Sequence, residues 1–547
     1  MTATDTYQPP IAQPLTKAYV DRSDERLAAW FGYHPGNDGD WAQRFNRLKA
    51  SGASRVDAAA LGDVLMSYNR RHGASEATLT AIKAIAEGAP VVVGGQQAGL
   101  WTGPLLVIHK AVSIIGAARE ASSKLGATIV PVFWVAGEDH DWDEANHTFV
   151  VTQEQELRKL AISRPEGART AVSRTTLEQE QWESVIAELE GALPHSEFKP
   201  HILEKLTGLA QGAASLSDMF SRLMLHLFSE EGLVLLDADD RGVRELEAGM
   251  FRKLLEQNDE LEETYHESAR YIQSLGYTLQ ADVHPGGANL FLFHKERGDE
   301  RLLLFKKDGR FHDRKESVSW TLEELLKLAD QEPWQLSNNV MTRPLMQDYL
   351  LPVLSTVLGP GEIAYWALTA GAFKAMGMEM PIITPRMSYT LVEGVIAKNM
   401  DKYELTFSDV VERFQERKDE WLKRQDNLSL ESRFEAVRES FTEQYGQLLE
   451  LAASIQPGLA KLGETNLAKI VEQINYMEGK TVDAHNKQFE AATRQLDRVR
   501  LSLAPNGKLQ ERVLTMAAYW NRYGDEWLTK LLAAPYRLTG GHEVVYL

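Results

Sequence analysis

Eleven residues, Gly137 to His147, hold seven side chains able to bind a proton or a cation: Glu138, Asp139, His140, Asp141, Asp143, Glu144 and His147. Neighbouring carboxylates repel one another. They persist where they hold a metal, a cationic amine or each other's protons. Two chemistries follow. In one, Glu138, Asp139, His140 and Asp141 are acid–base groups beside a bound amine. In the other, the same four with His147 form the ligand set of a metal-dependent hydrolase or lyase. A solvated acidic loop is the structural alternative. The apolar run "VPVFWVA" just before it reads as a buried strand ending at the cluster, and α/β proteins collect ligands at the carboxyl ends of strands.

A second group stands one crossover earlier, in "VVVGGQQAGLWTGPLLVIHKA", Val91 to Ala111. A strand end, a glycine-containing loop and a helix start make an anion site, because free amides and the helix dipole point at the ligand. Gln96 and Gln97 can each donate and accept. Thr102 and Gly103 stand at the helix mouth, and His109, a catalytic candidate near its second turn, can face the loop. The alternative is a structural turn with a core histidine. "PIITPRMSYT", Pro381 to Thr390, brings Arg386, a clamp for phosphate or carboxylate, with Ser388. Asn338 to Trp366 brings Asn339, Arg343 on one helix face with Gln347, and Glu362 and Tyr365 after a Gly-Pro-Gly turn. These four are read as a pocket wall.

The elements that must position these groups read as an α/β core. Pro90–Val93 is a strand, Thr102 the N-cap and Pro104 the first turn of a helix that runs to Gly126. Thr128–Ala136 is the next strand, so the unit is a right-handed βαβ crossover. Further strands are read at Leu233–Asp237, Leu290–Phe293, Arg301–Phe305 and Pro381–Thr384. The core spans 1–390, with insertions at roughly 150–230 and 240–335.

After Tyr389 the pattern changes. Phe434, Val437, Phe441, Tyr445, Leu448, Ala452 and Ile455 recur at helical spacing, Pro457-Gly458 breaks it, and Leu467, Ile470, Ile474 and Met477 resume it. This is an antiparallel coiled-coil arm over 391–504. Its second helix, about 45 residues, would span roughly 70 Å. A long apolar stripe favours a projecting arm that self-associates over a bundle packed on the core. Residues 505–547 return to the core.

Composition narrows the partners. The chain has 547 residues, no cysteine and a formal charge of −19. Its length suggests two or three domains. Disulfides, Cys-ligated zinc and a cysteine nucleophile are excluded. The negative charge without a basic stripe disfavours nucleic acid, tRNA included, and favours small-molecule substrates. No run reaches the length of a membrane span, and "MTATDTYQPPIAQP" lacks signal-peptide features, so a cytoplasmic protein away from membranes is expected.

Two segments resemble class I aminoacyl-tRNA synthetase signatures. Gly103, Leu105 and His109 keep the spacing of Gly-x-Leu-His-Ile-Gly-His, and Arg386-Met387-Ser388 echoes Lys-Met-Ser-Lys-Ser, without its second lysine. Nearly the whole chain resembles the BshC family of bacillithiol biosynthesis, through "GGQQAGLWTGPLLVIHKA", "VPVFWVAGEDHDWDEANH", "NVMTRPLMQDYLLP", "GPGEIAYW" and "PNGKLQER". The resemblance implies a Rossmann-type parallel-sheet core with connecting-peptide insertions and a coiled-coil arm that forms a homodimer. It implies a ligase that adds cysteine to the amine of glucosamine-malate, and an ATP or ADP site outside the main cleft. Asn506, Lys508 and Arg512 are its candidates, with Mg2+ left open. On this reading one of Glu138, Asp139, His140 and Asp141 takes the proton of the attacking amine, Asp141 or His140 foremost. A metal-dependent hydrolase or lyase and a non-catalytic coiled-coil scaffold are the alternatives.

Overall fold

The computed structural model describes residues 4–8, 11–50, 55–425 and 428–547. Residues 1–3 and 9–10 of the N-terminal stretch read for a signal sequence lie outside it. The chain divides into two units, Met1–Leu391 with Leu509–Leu547, and Val392–Lys508.

The first unit is built on five parallel strands: β1 Val91–Gln96, β2 Val130–Val135, β3 Val234–Asp237, β4 Val353–Leu358 and β5 Ile382–Pro385. Their spatial order is β5-β4-β1-β2-β3. The order reverses between β1 and β4, and ligands in such sheets bind outside the carboxyl ends at that point. The strands are near-continuous apolar runs because both faces are covered. Val91, Val132, Trp134, Val234 and Leu236 are fully buried in one large core. Burying each such side chain is worth roughly 1.5–3 kcal/mol.

Five helices frame the carboxyl edge: α1 Leu106–Leu125, α2 Leu216–Leu227, α3 Arg241–Glu256, α4 Arg343–Leu350 and α5 Pro360–Trp366. α1 starts later than the Thr102 cap expected from the sequence. Trp101 and Thr102 are left-handed (φ 49 and 67) and Gly103 has φ 73, so the chain cannot enter a helix before Leu105. α1 stops at Gly126, left-handed at φ 60, as expected.

Four points of the strand reading are revised. β1 runs through Gly94 and Gly95 rather than ending at Val93. A Cβ on Gly94 would lie 2.9 Å from the Val357 carbonyl oxygen, and one on Gly95 2.5 Å from the Trp134 carbonyl oxygen. These glycines therefore serve close strand packing rather than a loop. β4, all six residues buried and paired with β1, has no counterpart among the strands expected from the sequence. Leu290–Phe293 and Arg301–Phe305 belong to Gly287–His294 and Glu300–Lys307 of a separate five-stranded antiparallel sheet. The segment after β5 is also a strand, Met387–Val392, in a three-stranded sheet with Thr4–Tyr7 and Gly541–Tyr546.

The second unit contains α6 Leu430–Ile455, α7 Gly458–Asn486 and α8 Glu490–Leu503. α6 and α7 run antiparallel, as the Asn466–Tyr445 hydrogen bond (2.7 Å) and the Arg438–Asn475 bond (3.1 Å) require. The expected 45-residue helix is broken: a 3-10 turn at Lys487–Phe489, with Phe489 at φ −102 and ψ 15, separates α7 from α8. α7 alone spans 29 residues, roughly 43 Å. No described residue of α6 or α7 is fully buried. No helix among the described residues is long and apolar enough to cross a membrane.

Candidate functional site

Lys110, in the second turn of α1, is 1% exposed and lies at the strand-order reversal. Its ammonium donates to the Gly95 carbonyl (2.7 Å), Gln96 Oε1 (3.1 Å) and Glu362 Oε2 (2.6 Å). Three protons meet three acceptors. Burial pushes the lysine down from its ordinary value, and Glu362 opposes that shift. Glu362 is in the first turn of α5 and also accepts from the Gly359 amide at 2.7 Å. The helix that follows β4 is thereby tied to the end of β1.

The paired glutamines continue outward from this lysine. Gln96 Nε2 donates to Gln97 Oε1 at 2.9 Å. Gln97 Nε2 reaches Asp139 Oδ2 at 3.3 Å and Glu144 Oε2 at 3.4 Å. An ammonium at one end and carboxylates at the other permit only one orientation of both amides. Every donor points from cation to anions, a polarised chain whose links strengthen one another. It crosses from the reversal point to the acidic loop after β2.

Arg343, at the start of α4, is half-buried beside the same strand end. Its guanidinium is 5.2 Å from the Trp134 ring centroid and would be 2.5 Å from a Cβ on Gly95. It has no hydrogen bond or ion pair among the described residues, so its fork is available to a carboxylate or phosphate. Tyr365 is half-buried nearby, its phenol pushed up by burial and then by Glu362.

The acidic loop is not one cluster. Glu138 is buried and ion-paired with Arg244, which also holds Glu247 at 2.6 Å. Asp141 caps the short helix Trp142–Ala145 through the Glu144 amide. Asp139 accepts from the His140 amide at 2.7 Å. The His140 Nδ1 faces Arg301 Nη1 at 3.1 Å. Arginine only donates, so Nδ1 accepts and Nε2 carries the proton. Burial, then Arg301, push this histidine down. It therefore has no free lone pair for an amine's proton, contrary to its sequence-based assignment as base. Glu144 differs: it is solvent-exposed, yet partial desolvation, then Asp139 and Asp141, push its carboxyl up, and it pairs with no cation among the described residues. No three His, Asp or Glu side chains among the described residues converge as metal ligands. The metal-hydrolase set is not assembled, because Glu138 is turned to Arg244.

Other expected site residues lie elsewhere. His109 is fully buried, with Nδ1 on Glu511 Oε2 at 2.7 Å. Arg386 clamps the same carboxylate at 2.7 and 2.8 Å. Burial would raise Glu511, but Arg386 and His109 outweigh it and hold its carboxyl well below the usual range. Arg386 thus binds an internal anion, and His109 is a core histidine tying α1 to residue 511. Ser388 accompanies His542 at 2.9 Å, Thr102 is fully buried, and Gly103 supplies the turn before α1. Asn339 closes its own turn through the Met341 and Thr342 amides and bonds Asn289 at 2.9 Å. Asn506 and Lys508 are exposed in the second unit, and Arg512 is exposed in the first. Their donor types suit phosphate, but none is buried in a preformed site. Lys110 was missed in the sequence although it follows His109; a lysine in an apolar run, "LLVIHKAVSII", is the signal that could have marked it.

Asp237, at the end of β3, is buried against Gly137. Burial pushes its carboxyl up to about 8. The folded value lies above the unfolded one, so its stabilising contribution is full below about pH 4 and is lost as pH rises through about 8. At about 1.36 kcal/mol per unit, Asp237→Asn should gain several kcal/mol on wild type across that window. Denaturant titrations at pH 4, 6 and 8 read this; a constant difference between the two proteins contradicts it.

Two family models match the chain. "Bacillithiol biosynthesis BshC, N-terminal Rossmann-like domain" matches residues 2–387, and "Bacillithiol biosynthesis BshC, C-terminal coiled-coil domain" matches 389–547. Three similar proteins carry the name "Putative cysteine ligase BshC". That of Symbiobacterium thermophilum is 36% identical over 95% of this chain and 96% of its own. The Geobacillus kaustophilus protein is 36% identical over 94% and 95%. The Bacillus cytotoxicus protein is 32% identical over 98% and 99%.

Proposed function

The chain belongs to the BshC family of bacillithiol biosynthesis, and from that premise we propose that it joins cysteine to the amine of glucosamine-malate in the cytoplasm. The observation that carries the site assignment is the hydrogen-bond chain Lys110–Gln96–Gln97–Asp139/Glu144. It links the buried Lys110 ammonium at the end of β1, where Arg343 also lies, to the carboxylates of the acidic loop. Arg343 anchors a substrate carboxylate through its free fork. The substrate amine approaches Glu144, which accepts its proton as nitrogen attacks the cysteine carbonyl carbon. The C–N bond forms as the bond from the carbonyl carbon to the activated oxygen breaks, and that oxygen departs with the electron pair on the phosphate or AMP group derived from ATP. ATP is the proposed co-reactant that activates the cysteine carboxylate. The test is incubation of the purified protein with glucosamine-malate and cysteine, with and without ATP and Mg2+, following product mass. A product mass equal to cysteine plus glucosamine-malate less water supports the reading; no such product under any condition refutes it.

The second unit supports a homodimer. Leu448, Leu451 and Ile455 of α6 and Leu462 and Met477 of α7 are more than half exposed. A two-helix hairpin cannot cover these side chains itself, and a second copy supplies matching helices. Leu448→Glu, Leu451→Glu and Ile455→Glu together should convert dimer to monomer. Light scattering reads the mass; an unchanged dimer removes the arm as the interface.

A further inference from the structure

A cavity of about 320 Å³ opens beyond the carboxyl end of β3, the edge strand. That volume is at the low end of small-molecule pockets, roughly 300–1,000 Å³. Arg71, Arg174, Ser217, Arg241, Tyr68 and Trp334 line it.

Its carboxylates are already supplied with donors. Asp218 takes His72 (3.1 Å) and the Ala214 amide (3.0 Å). Asp239 takes Ser173 and both forks of Arg174. Asp240 closes the amides that start α3 and takes Arg71 at 2.8 Å. Asp237 accepts the Asp239 amide at 2.9 Å and, pushed up to about 8 by burial, is uncharged at neutral pH.

Charged donors in the pocket remain unused. The Ser217 hydroxyl is in the first turn of α2, is 2% exposed and has no partner among the described residues. It stands where the amides of that helix point outward. Arg71 uses one Nη, on Asp240. Arg241 uses only Nε, on Glu245 at 3.3 Å, while lying 4.0 Å from the Trp334 ring centroid. Arg174 keeps one Nη unused. These donors outnumber the roughly four acceptor sites of a carboxylate and suit a tetrahedral oxyanion.

We propose that this pocket binds the phosphate group of a small phosphorylated metabolite, with Ser217 and the start of α2 on one side and Arg71 and Arg241 on the other. The pocket shares no lining residue with the Lys110–Glu144 chain, although Ser173 on its wall donates through its amide to the Gly137 carbonyl at 3.0 Å, and the proposal does not depend on the ligation chemistry. Free phosphate and a phosphate monoester share this recognition, and titration distinguishes them.

The full-length protein is titrated calorimetrically with inorganic phosphate, glucose 6-phosphate and malate in phosphate-free buffer. Saturable binding of both phosphate probes is expected. It should weaken by about tenfold or more in Ser217→Ala and again in Arg71→Gln/Arg241→Gln, because charged donors contribute most. Circular dichroism verifies that each variant is folded; the arginine pair is largely exposed, so that variant remains informative if Ser217→Ala is not. Tighter binding of the monoester identifies an organic phosphate as occupant, and equal binding identifies the free ion. No saturable phosphate binding, binding unaffected by the arginine variant, or binding of malate in preference to both phosphate probes overturns the proposal.

Discussion

Lys110→Met is expected to cost about 3–5 kcal/mol of stability and, by misplacing the glutamine chain, to lower turnover by about a hundredfold in protein that remains folded. The stability loss follows from what the ammonium leaves behind. Glu362, with a side chain 25% exposed, and the Gly95 carbonyl would lose their partner in a largely dry site. Breaking a buried pair by removing one member leaves an uncompensated charge. The turnover loss follows from the glutamine chain. Without the ammonium, the Gln96 amide is free to turn, and Gln97 loses the orientation that aims it at Asp139 and Glu144. The control is Lys110→Met/Glu362→Gln. Removing the stranded charge should recover part of the stability, a coupling of about 0.5–3 kcal/mol, but not the turnover. Denaturant melts and steady-state rates separate the two effects. A single variant as stable as wild type would mean that the lysine is not the link between β1 and α5.

The second large effect is expected at Glu144. A positioned base contributes about 10²–10⁴-fold, so Glu144→Gln should lower kcat within that range. The glutamine still accepts from Gln97, so geometry changes little. In wild type, the acid limb of kcat/KM should lie above the ordinary glutamate value, because partial desolvation and the neighbouring Asp139 and Asp141 favour the protonated form even though Glu144 is exposed. In Glu144→Gln that limb should vanish. His140→Ala should retain more than about a tenth of wild-type turnover, since Arg301 already occupies the ring's lone pair. If Glu144→Gln keeps more than about a tenth of the wild-type rate, or keeps the acid limb, the base lies elsewhere.

The two glutamines illustrate how far local reading reaches. Gln-Gln after a β-branched run predicts polar groups at a strand end, and the amides are found there, joining Lys110 to the acidic loop. Their direction could not be read locally. It depends on an ammonium one helical turn into α1 and on carboxylates one crossover away. Arg343 and Arg386 make the complementary point. Both are arginines beside strand elements, equally suited to an anion. Glu511, 125 residues after Arg386 and at the far side of the arm sequence, folds back to satisfy Arg386, while nothing among the described residues satisfies Arg343.

Strands show the same boundary. Val91–Val93 and Val130–Val135 are legible because each is a β-branched or aromatic run bounded by turn residues. Val353–Leu358 is as apolar, but it lies between two helices, where a short apolar run has no period to distinguish strand from helix. The Gly94–Gly95 pair reads locally as a loop. It is strand because Val357 and Trp134 approach too closely for any Cβ.

By itself, the sequence determined the α/β core with its helical arm, the absence of cysteine chemistry, the family and the two segments that meet at the site. These are properties of periodicity, composition and long motifs, which are written along the chain. Tertiary structure alone decided which charged side chains remain available. His109, Glu138, Arg386 and Lys110 were withdrawn into buried pairs, while Arg343 and Glu144 were left without a charged partner among the described residues. The reason is that a charge's role depends on its partners and burial, and both are set by residues hundreds of positions apart: Lys110 with Glu362, His109 and Arg386 with Glu511, Glu138 with Arg244.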